Sequence, residues 1–386
     1  MTRRSRVPIV VSALALALVP LAGGTPTASA ERGTVTMSGT AYEFDHVETV
    51  LPGATIHVLE DPDLTTTVAD DGTYSLEVPD GTKVTPYITA DGHGTIYLQT
   101  FTTDGEDLLH VNFQTPTTGT MGLLALVLGV ETDDAGYPKQ CVVVTTVSTK
   151  HVRGVSYEQF IAWGAHGVAG VTASISPKAG TRTYFNSSVI PDKSVTETSA
   201  DGGVVWDHLP AGTYTLSAKG AGSDWPKVHV TCADGRIVNA SPPWGLNQKA
   251  TTVPTKVKAT WKGKQGHPAK LTGLTLGKVP TQQLPDFAIE HEPGIEQRYL
   301  GTVTVACSGG CFEPTSTAGS LTRPVDLMKL LGRSATKLTP GHTLRVTVAV
   351  PGFNTRTDAW RIRAHGVPVR TTQCVPLGGT RSQKTC

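Results

Sequence analysis

Short runs of alternating apolar and polar residues, cut by glycine and proline, fill most of this chain. Ile56 and Val58 share a face, as do Tyr74, Leu76 and Val78, and Leu109, Val111 and Phe113. Alternation with period two marks a strand buried on one side. Turn signals separate the runs at Pro52-Gly53, Asp71-Gly72, Asp80-Gly81, Asp91-Gly92 and Asp104-Gly105. About seven short strands at this spacing predict an antiparallel sandwich over residues 33–116. Residues 121–130 are apolar almost throughout and predict a short helix within a connector, residues 117–139. A second β-rich region, residues 140–246, opens on Val142-Val143-Val144 and closes on Ser241-Pro242-Pro243, where proline forbids a continuing central strand. On its strand near the end, Val228, Val230 and Cys232 share a face. A third region, residues 251–386, is again mostly β: Val303, Val305 and Cys307 alternate, as do Leu344, Val346, Val348 and Val350. Within it, Pro324 before residues 325–331 and Gly332 after them predict a short helix.

One segment occurs twice. Ala69, Asp70, Gly72, Pro79, Gly81 and Thr82 each recur 131 positions later, as Ala200, Asp201, Gly203, Pro210, Gly212 and Thr213. A recurrence at fixed offset indicates two copies of one module. Its content is mechanical: a glycine turn, a strand, a Pro-x-Gly turn and the start of the next strand. Upstream, Gly170-Val171-Thr172 matches Gly53-Ala54-Thr55 at an offset of 117. The second copy therefore carries about fourteen extra residues, placed around 181–195 and including Tyr184-Phe185-Asn186.

These residues resemble the carboxypeptidase regulatory-like domain, a transthyretin-like sandwich. Leu209-Pro210-Ala211-Gly212-Thr213-Tyr214 and Thr198-Ser199-Ala200-Asp201 carry the likeness; the first copy, Val78-Pro79-Asp80-Gly81-Thr82-Lys83, lacks the final aromatic. The resemblance covers residues 33–246. It implies a scaffolding, adhesive or ligand-binding accessory module and no catalytic residues. The fold class expected is all-β: tandem transthyretin-like or immunoglobulin-like sandwiches plus a third β-rich, disulfide-containing domain.

The first thirty residues read as a signal peptide: Arg3, Arg4 and Arg6, an apolar stretch over 7–21, and Ala28-Ser29-Ala30 as a cleavage site. No later stretch is long enough to span a bilayer, so no transmembrane span is expected after cleavage. The expected location is secreted, extracellular or associated with the cell envelope. There the six cysteines, Cys141, Cys232, Cys307, Cys311, Cys374 and Cys386, are disulfide candidates rather than thiols or zinc ligands. Six cysteines allow about fifteen connectivities. Their grouping points to Cys141 with Cys232, and most simply to Cys307 with Cys311 and Cys374 with Cys386.

Charge divides the chain. Residues 31–250 hold 12 Lys+Arg and 25 Asp+Glu, whereas residues 251–386 hold 18 and 7. A basic end beside an acidic body suggests docking to an anionic surface, or attraction between the two parts. Catalytic motifs are missing from the sequence: it has no Gly-x-Ser-x-Gly, His-Glu-x-x-His or P-loop pattern. Asp61, Asp63, Asp70 and Asp71 cluster without EF-hand spacing and read as solvated turn residues. Trp163 and Trp225, in Gly-rich surroundings, are the candidates for stacking on a sugar ring, although packing is the commoner fate of tryptophan. No cofactor or metal is expected. The function expected is a non-enzymatic exported binding or scaffold protein, with a polysaccharide, an anionic cell-wall polymer or a surface protein as partner and nucleic acid not expected. The alternatives are an extracellular hydrolase or metal-dependent oxygenase, which would need Tyr184, His208 and His229 to converge, and a purely structural spacer.

Overall fold

The computed structural model describes residues 33–44, 46–163, 166–241, 243–264, 266–278, 301–309, 311–319 and 323–386. The segment expected to be a signal peptide lies outside them. Among the described residues the fold is nearly all β, arranged as sheets around three hydrophobic cores.

The two copies of the repeated segment have the same strand pairing. In the first, the opening strand Thr34–Glu43 lies antiparallel to the repeat strand Thr73–Pro79 and parallel to Phe113–Thr115. In the second, Cys141–Thr146 lies antiparallel to Gly203–Leu209 and parallel to Ile237–Asn239. Each pair of layers is completed by a second antiparallel set. That set is Thr55–Val58, Pro86–Thr89 and Ile96–Tyr97 in the first copy, and Val171–Ser176, Gly212–Gly220 and Val228–Cys232 in the second. Gly72 adopts φ of +81°; in the second copy the positive φ falls on Gly202, at +79°, one residue before Gly203, the counterpart of Gly72. Among its described residues the first region holds ten strand segments rather than seven, because short polar edge strands such as His46–Val50 and Asp61–Thr67 escape the alternation test.

The copies are fused through one sheet. Ile96–Tyr97 pairs in parallel with Ile237–Asn239, so a nine-stranded sheet runs from Pro191–Asp192 to Asp61–Thr67. Joining edge to edge satisfies backbone groups that two separate sandwiches would leave open. The extra residues of the second copy form the hairpin Thr181–Phe185 and Pro191–Asp192, which extends the same sheet beside the repeat strand.

This sheet is covered on both sides. Val143, Val204, Trp206, Tyr184 and Val238 face the second core. On the other side lies helix α1, Thr118–Leu128, capped by the Thr117 hydroxyl accepting from Thr120 N–H and ended by Gly129 at φ +70°. Double coverage explains why Val142-Val143-Val144 and Val204-Val205-Trp206 are continuously apolar rather than alternating. A second short helix, α2 (Tyr157–Trp163), joins Phe160 to Tyr42 and Val152 in a small satellite cluster.

Cys141 is bonded to Cys232, a bridge between the nine-stranded sheet and the three-stranded sheet facing it, with Cα atoms 5.5 Å apart. Cys307 is bonded to Cys311, and Cys374 to Cys386. The third core lies between the sheet Val257–Lys262, Lys270–Leu276 and Val325–Asp326 and a five-stranded antiparallel sheet. Here the expected helix is shorter than its sequence signals. Val325–Asp326 bridges to Leu276 and Thr275 as a strand, and the Asp326 carboxylate accepts from Met328 N–H. Helix α3 is therefore only Met328–Leu331; Gly332 caps its end at φ +51°, as expected, and also opens a 3-10 turn. Among the described residues no helix is long and apolar enough to cross a membrane.

Candidate functional site

The five-stranded sheet of the third core runs Thr315–Gly319, Gly301–Ser308, Thr343–Ala349, Thr355–Arg361, Val369–Val375, all antiparallel. Strict alternation sends Val303, Val305, Leu344, Val346, Val348 and Trp360 into the core. The opposite face carries Thr304, Ser308, Thr343, Arg345, Thr347, Thr357, Arg361, Thr371 and Gln373, since side chains two apart share a face. In register, Ala359 sits between Arg345 and Thr371. Its single methyl keeps the surface low there, and an open groove of about 730 Å³ results, lined by Arg345, Arg361, Arg363, Thr343, Thr371 and Gln373 among others.

The one acid on these five strands points to the opposite face of the sheet. After Asp326 the chain contains a single carboxylate side chain, Asp358. It is completely buried. Arg356 Nε donates to it at 2.9 Å, Arg370 at 2.7 Å and the Thr372 hydroxyl at 2.7 Å. Burial alone would raise the Asp358 carboxyl; the bonds from Arg356, Thr372 and Arg370 outweigh it and hold the group below the usual carboxylate range. Asp358 is thereby occupied by Arg356 and Arg370. Arg345, Arg361 and Arg363 are exposed, and among the described residues none of them makes an ion pair. A guanidinium presents a planar fork of donors suited to phosphate, sulfate or carboxylate, and neighbouring threonine hydroxyls can donate as well.

The third region also contacts the first two. Arg381 donates to the carbonyls of Asp104 and Gly105, and Glu106 accepts from Thr380 N–H. Lys150 lies 4.0 Å from the Phe353 ring centroid. Trp244 is the other joint: its indole N–H donates to the carbonyls of Leu109 and His110, Phe101 meets it edge-on, and Gly378 packs against it.

The residues singled out in the sequence stand as follows. Trp225 is half-buried against the second core, with its indole N–H toward the Gly220 carbonyl at 3.4 Å. That packing leaves less ring for stacking than an exposed tryptophan would offer. Trp163 ends α2, and its side chain lies outside the described residues. Tyr184, His208 and His229 are engaged separately: Tyr184 OH accepts from Ala173 N–H at 3.0 Å, His208 pairs with Asp207 at 2.8 Å, and His229 faces Thr215 at 3.1 Å. Asp71 accepts from both the backbone and the hydroxyl of Thr73, and those bonds lower its carboxyl pKa. The ligand atoms of Cys307, Cys311 and His342 lie within 4.8 Å of one another. The two sulfurs are bonded to each other, however, and His342 Nδ1 accepts from Thr339 N–H. Cys374, the other partner a zinc site would need, is bonded to Cys386.

Sequence reasoning located the basic region but not the face. The available signal was local: Arg345 alternates with Leu344 and Val346, and Arg361 follows Trp360, so each falls opposite the apolar face of its strand; which arginines stay free of a carboxylate depends on how the strands pair around Asp358.

No protein-family model matches the chain, and no curated protein matches it. Among solved structures, the chain is similar to the Bacillus anthracis TIE protein, at 11% identity and TM-score 0.17 over 86% of this chain and 49% of that one, so it spans about half that protein's length. It is similar to the shaft pilin SpaA from Lactobacillus rhamnosus GG, at 12% identity and TM-score 0.16 over 54% of this chain and 97% of that one. It is also similar to a tetra-tandem repeat in the extending region of a large adhesion protein, at 12% identity and TM-score 0.16 over 92% and 91%. Values of this size carry no argument about what this chain does.

Proposed function

We propose that this chain is an exported, non-enzymatic surface or extracellular protein. Its basic third region, residues 251–386, docks on an anionic polymer, and its two repeated sandwiches, residues 33–116 and 140–246, serve as a scaffold of carboxypeptidase regulatory-like type joined by the connector 117–139. The observation that supports docking is the arginine-lined groove. Arg345, Arg361 and Arg363 surround it with no carboxylate partner among the described residues, while Asp358 is buried beside Arg356 and Arg370. A polymer with regularly spaced phosphates or carboxylates, such as an anionic wall polymer, suits that arrangement. Three disulfides fit an oxidising compartment, and the signal-like start at 1–30 fits export. A polysaccharide contact through Trp225 is a narrower part of the same reading.

Co-sedimentation of the intact protein with insoluble anionic wall material and with a neutral polysaccharide, at low salt, tests it. Retention on the anionic material, lost in Arg345→Gln/Arg361→Gln/Arg363→Gln, is expected. Equal retention of the triple variant, or equal retention on the neutral polysaccharide, contradicts it.

A further inference from the structure

Between helix α1 and the outer side of the nine-stranded sheet lies a cavity of about 160 Å³. Met121, Leu124 and Leu128 of the helix form its roof, and Val144, Val205 and Ile237 of the sheet form its floor. Phe185 and Val189 close one side from the hairpin that only the second copy of the repeat possesses. The two segments that distinguish the copies, connector and hairpin, thus converge here. An apolar void of roughly 150 Å³ is large enough for one benzene ring.

The lining is not wholly apolar. Asn239 reaches the cavity from the strand paired with Val144, and its Oδ1 is buried without a hydrogen-bond partner. A buried acceptor left open costs stability. Asp201 lies at the rim, with one carboxylate oxygen held by Gly203 N–H at 2.9 Å. Burial raises its pKa, the Gly203 bond opposing.

We infer that the cavity beneath α1 is a binding site for a small apolar molecule carrying one hydrogen-bond donor, a compact aromatic or medium-chain alcohol, whose body fills the void and whose hydroxyl donates to Asn239 Oδ1. The site is separate from the arginine groove and does not depend on its role. Helix α1 also bears Leu123, Leu126 and Val127 on its outer side, exposed by 61%, 77% and 49%. Only its inward stripe is needed to roof the cavity.

Met121 gives a local reporter. Methionine-methyl NMR of the intact protein, titrated with benzyl alcohol and with toluene, distinguishes it from Met37 in the first core and Met328 in the third. Benzyl alcohol should shift Met121 saturably and leave Met37 and Met328 in place. Toluene, lacking the donor, should bind weaker on the order of five-fold, the worth of one hydrogen bond. Asn239→Leu should bring benzyl alcohol to the level of toluene. Ala125→Phe, which fills the void from the helix, should abolish the Met121 shift while the Met37 and Met328 resonances stay in place; Val144→Phe fills it from the sheet if that variant does not fold. No saturable shift of Met121, a shift undiminished in both filled variants, or equal affinity for the two probes in the unaltered protein overturns the inference.

Discussion

Thr100 and Thr231 stand 131 residues apart, the interval of the internal repeat, and their hydroxyls meet at 3.1 Å. Thr100 N–H also donates to the His229 carbonyl at 2.7 Å. The chain continues on one side to Thr85 and Glu60: the Thr85 hydroxyl lies 2.7 Å from that of Thr100, and Glu60 accepts from Thr85 N–H and hydroxyl at 2.7 and 2.6 Å. Equivalent positions of the two copies thus face each other across the seam that makes two sandwiches one body. Thr231→Val removes one hydroxyl from this chain. It should destabilise by about 1 kcal/mol, the net worth of one such bond, read as a lower urea midpoint with an unchanged slope.

The Cys141–Cys232 bridge closes a separation of 91 residues. In the chain-entropy account, its removal as Cys141→Ala/Cys232→Ala should cost about 4–5 kcal/mol. Equilibrium denaturation of oxidised wild type against the double variant measures this. The two short-range bridges, with separations of 4 and 12, should each cost less.

Asp358→Asn should destabilise by about 3 kcal/mol, at the low end for a broken buried ion pair because the Arg370 side chain is 43% exposed and can turn to solvent. The carboxyl pKa is lower folded than unfolded. Its contribution is therefore present above the ordinary value near 4 and is lost as pH falls through the folded value. The variant should flatten the acid limb of the stability curve.

Burial holds His57, His110 and His151 below the usual histidine value, His151 at about 4 with help from Lys150. The unfolded chain then binds more protons than the folded one below about pH 6.5. Stability should fall as pH drops from there toward 4, and level off for His151 beneath that. Thermal melts of His151→Phe should show a shallower fall over the same window.

Gly352 has φ of +75°, and a Cβ there would run into the His151 ring. Gly352→Ala meets both backbone strain and a clash where the third core rests on the second region. A loss of about 1–3 kcal/mol is expected. Limited proteolysis should show earlier cutting between residues 246 and 253 than in wild type.

The β class and the duplication were legible because alternation and a fixed offset are written in single residues: Tyr74, Leu76, Val78, and Gly81 against Gly212. The fusion of the copies was not legible. It rests on Ile96–Tyr97 and Ile237–Asn239, strands of two and three residues that carry no periodicity. The run Val142-Val143-Val144 did hold a signal, since a strand apolar on both sides requires two covers. The second cover is α1, which the sequence marks only as a short helix within the connector. In the third region the charge excess pointed to an anionic partner. It could not show that Asp358 is enclosed by Arg356 and Arg370 while Arg345, Arg361 and Arg363 stay open, because that depends on pairing across three strands.

The affinity of the intact protein for soluble poly(glycerol phosphate), followed by calorimetry as salt rises from about 0.01 M to about 1 M, tests the docking claim most directly, since the Debye length shrinks from about 30 to 3 Å over that range. Binding should weaken steadily with salt. At low salt Arg345→Gln/Arg361→Gln/Arg363→Gln should lose about ten-fold or more, as three exposed charge contacts of up to about 1 kcal/mol each imply, with a flatter salt dependence. An affinity indifferent to salt, or equal in wild type and triple variant, would contradict the account.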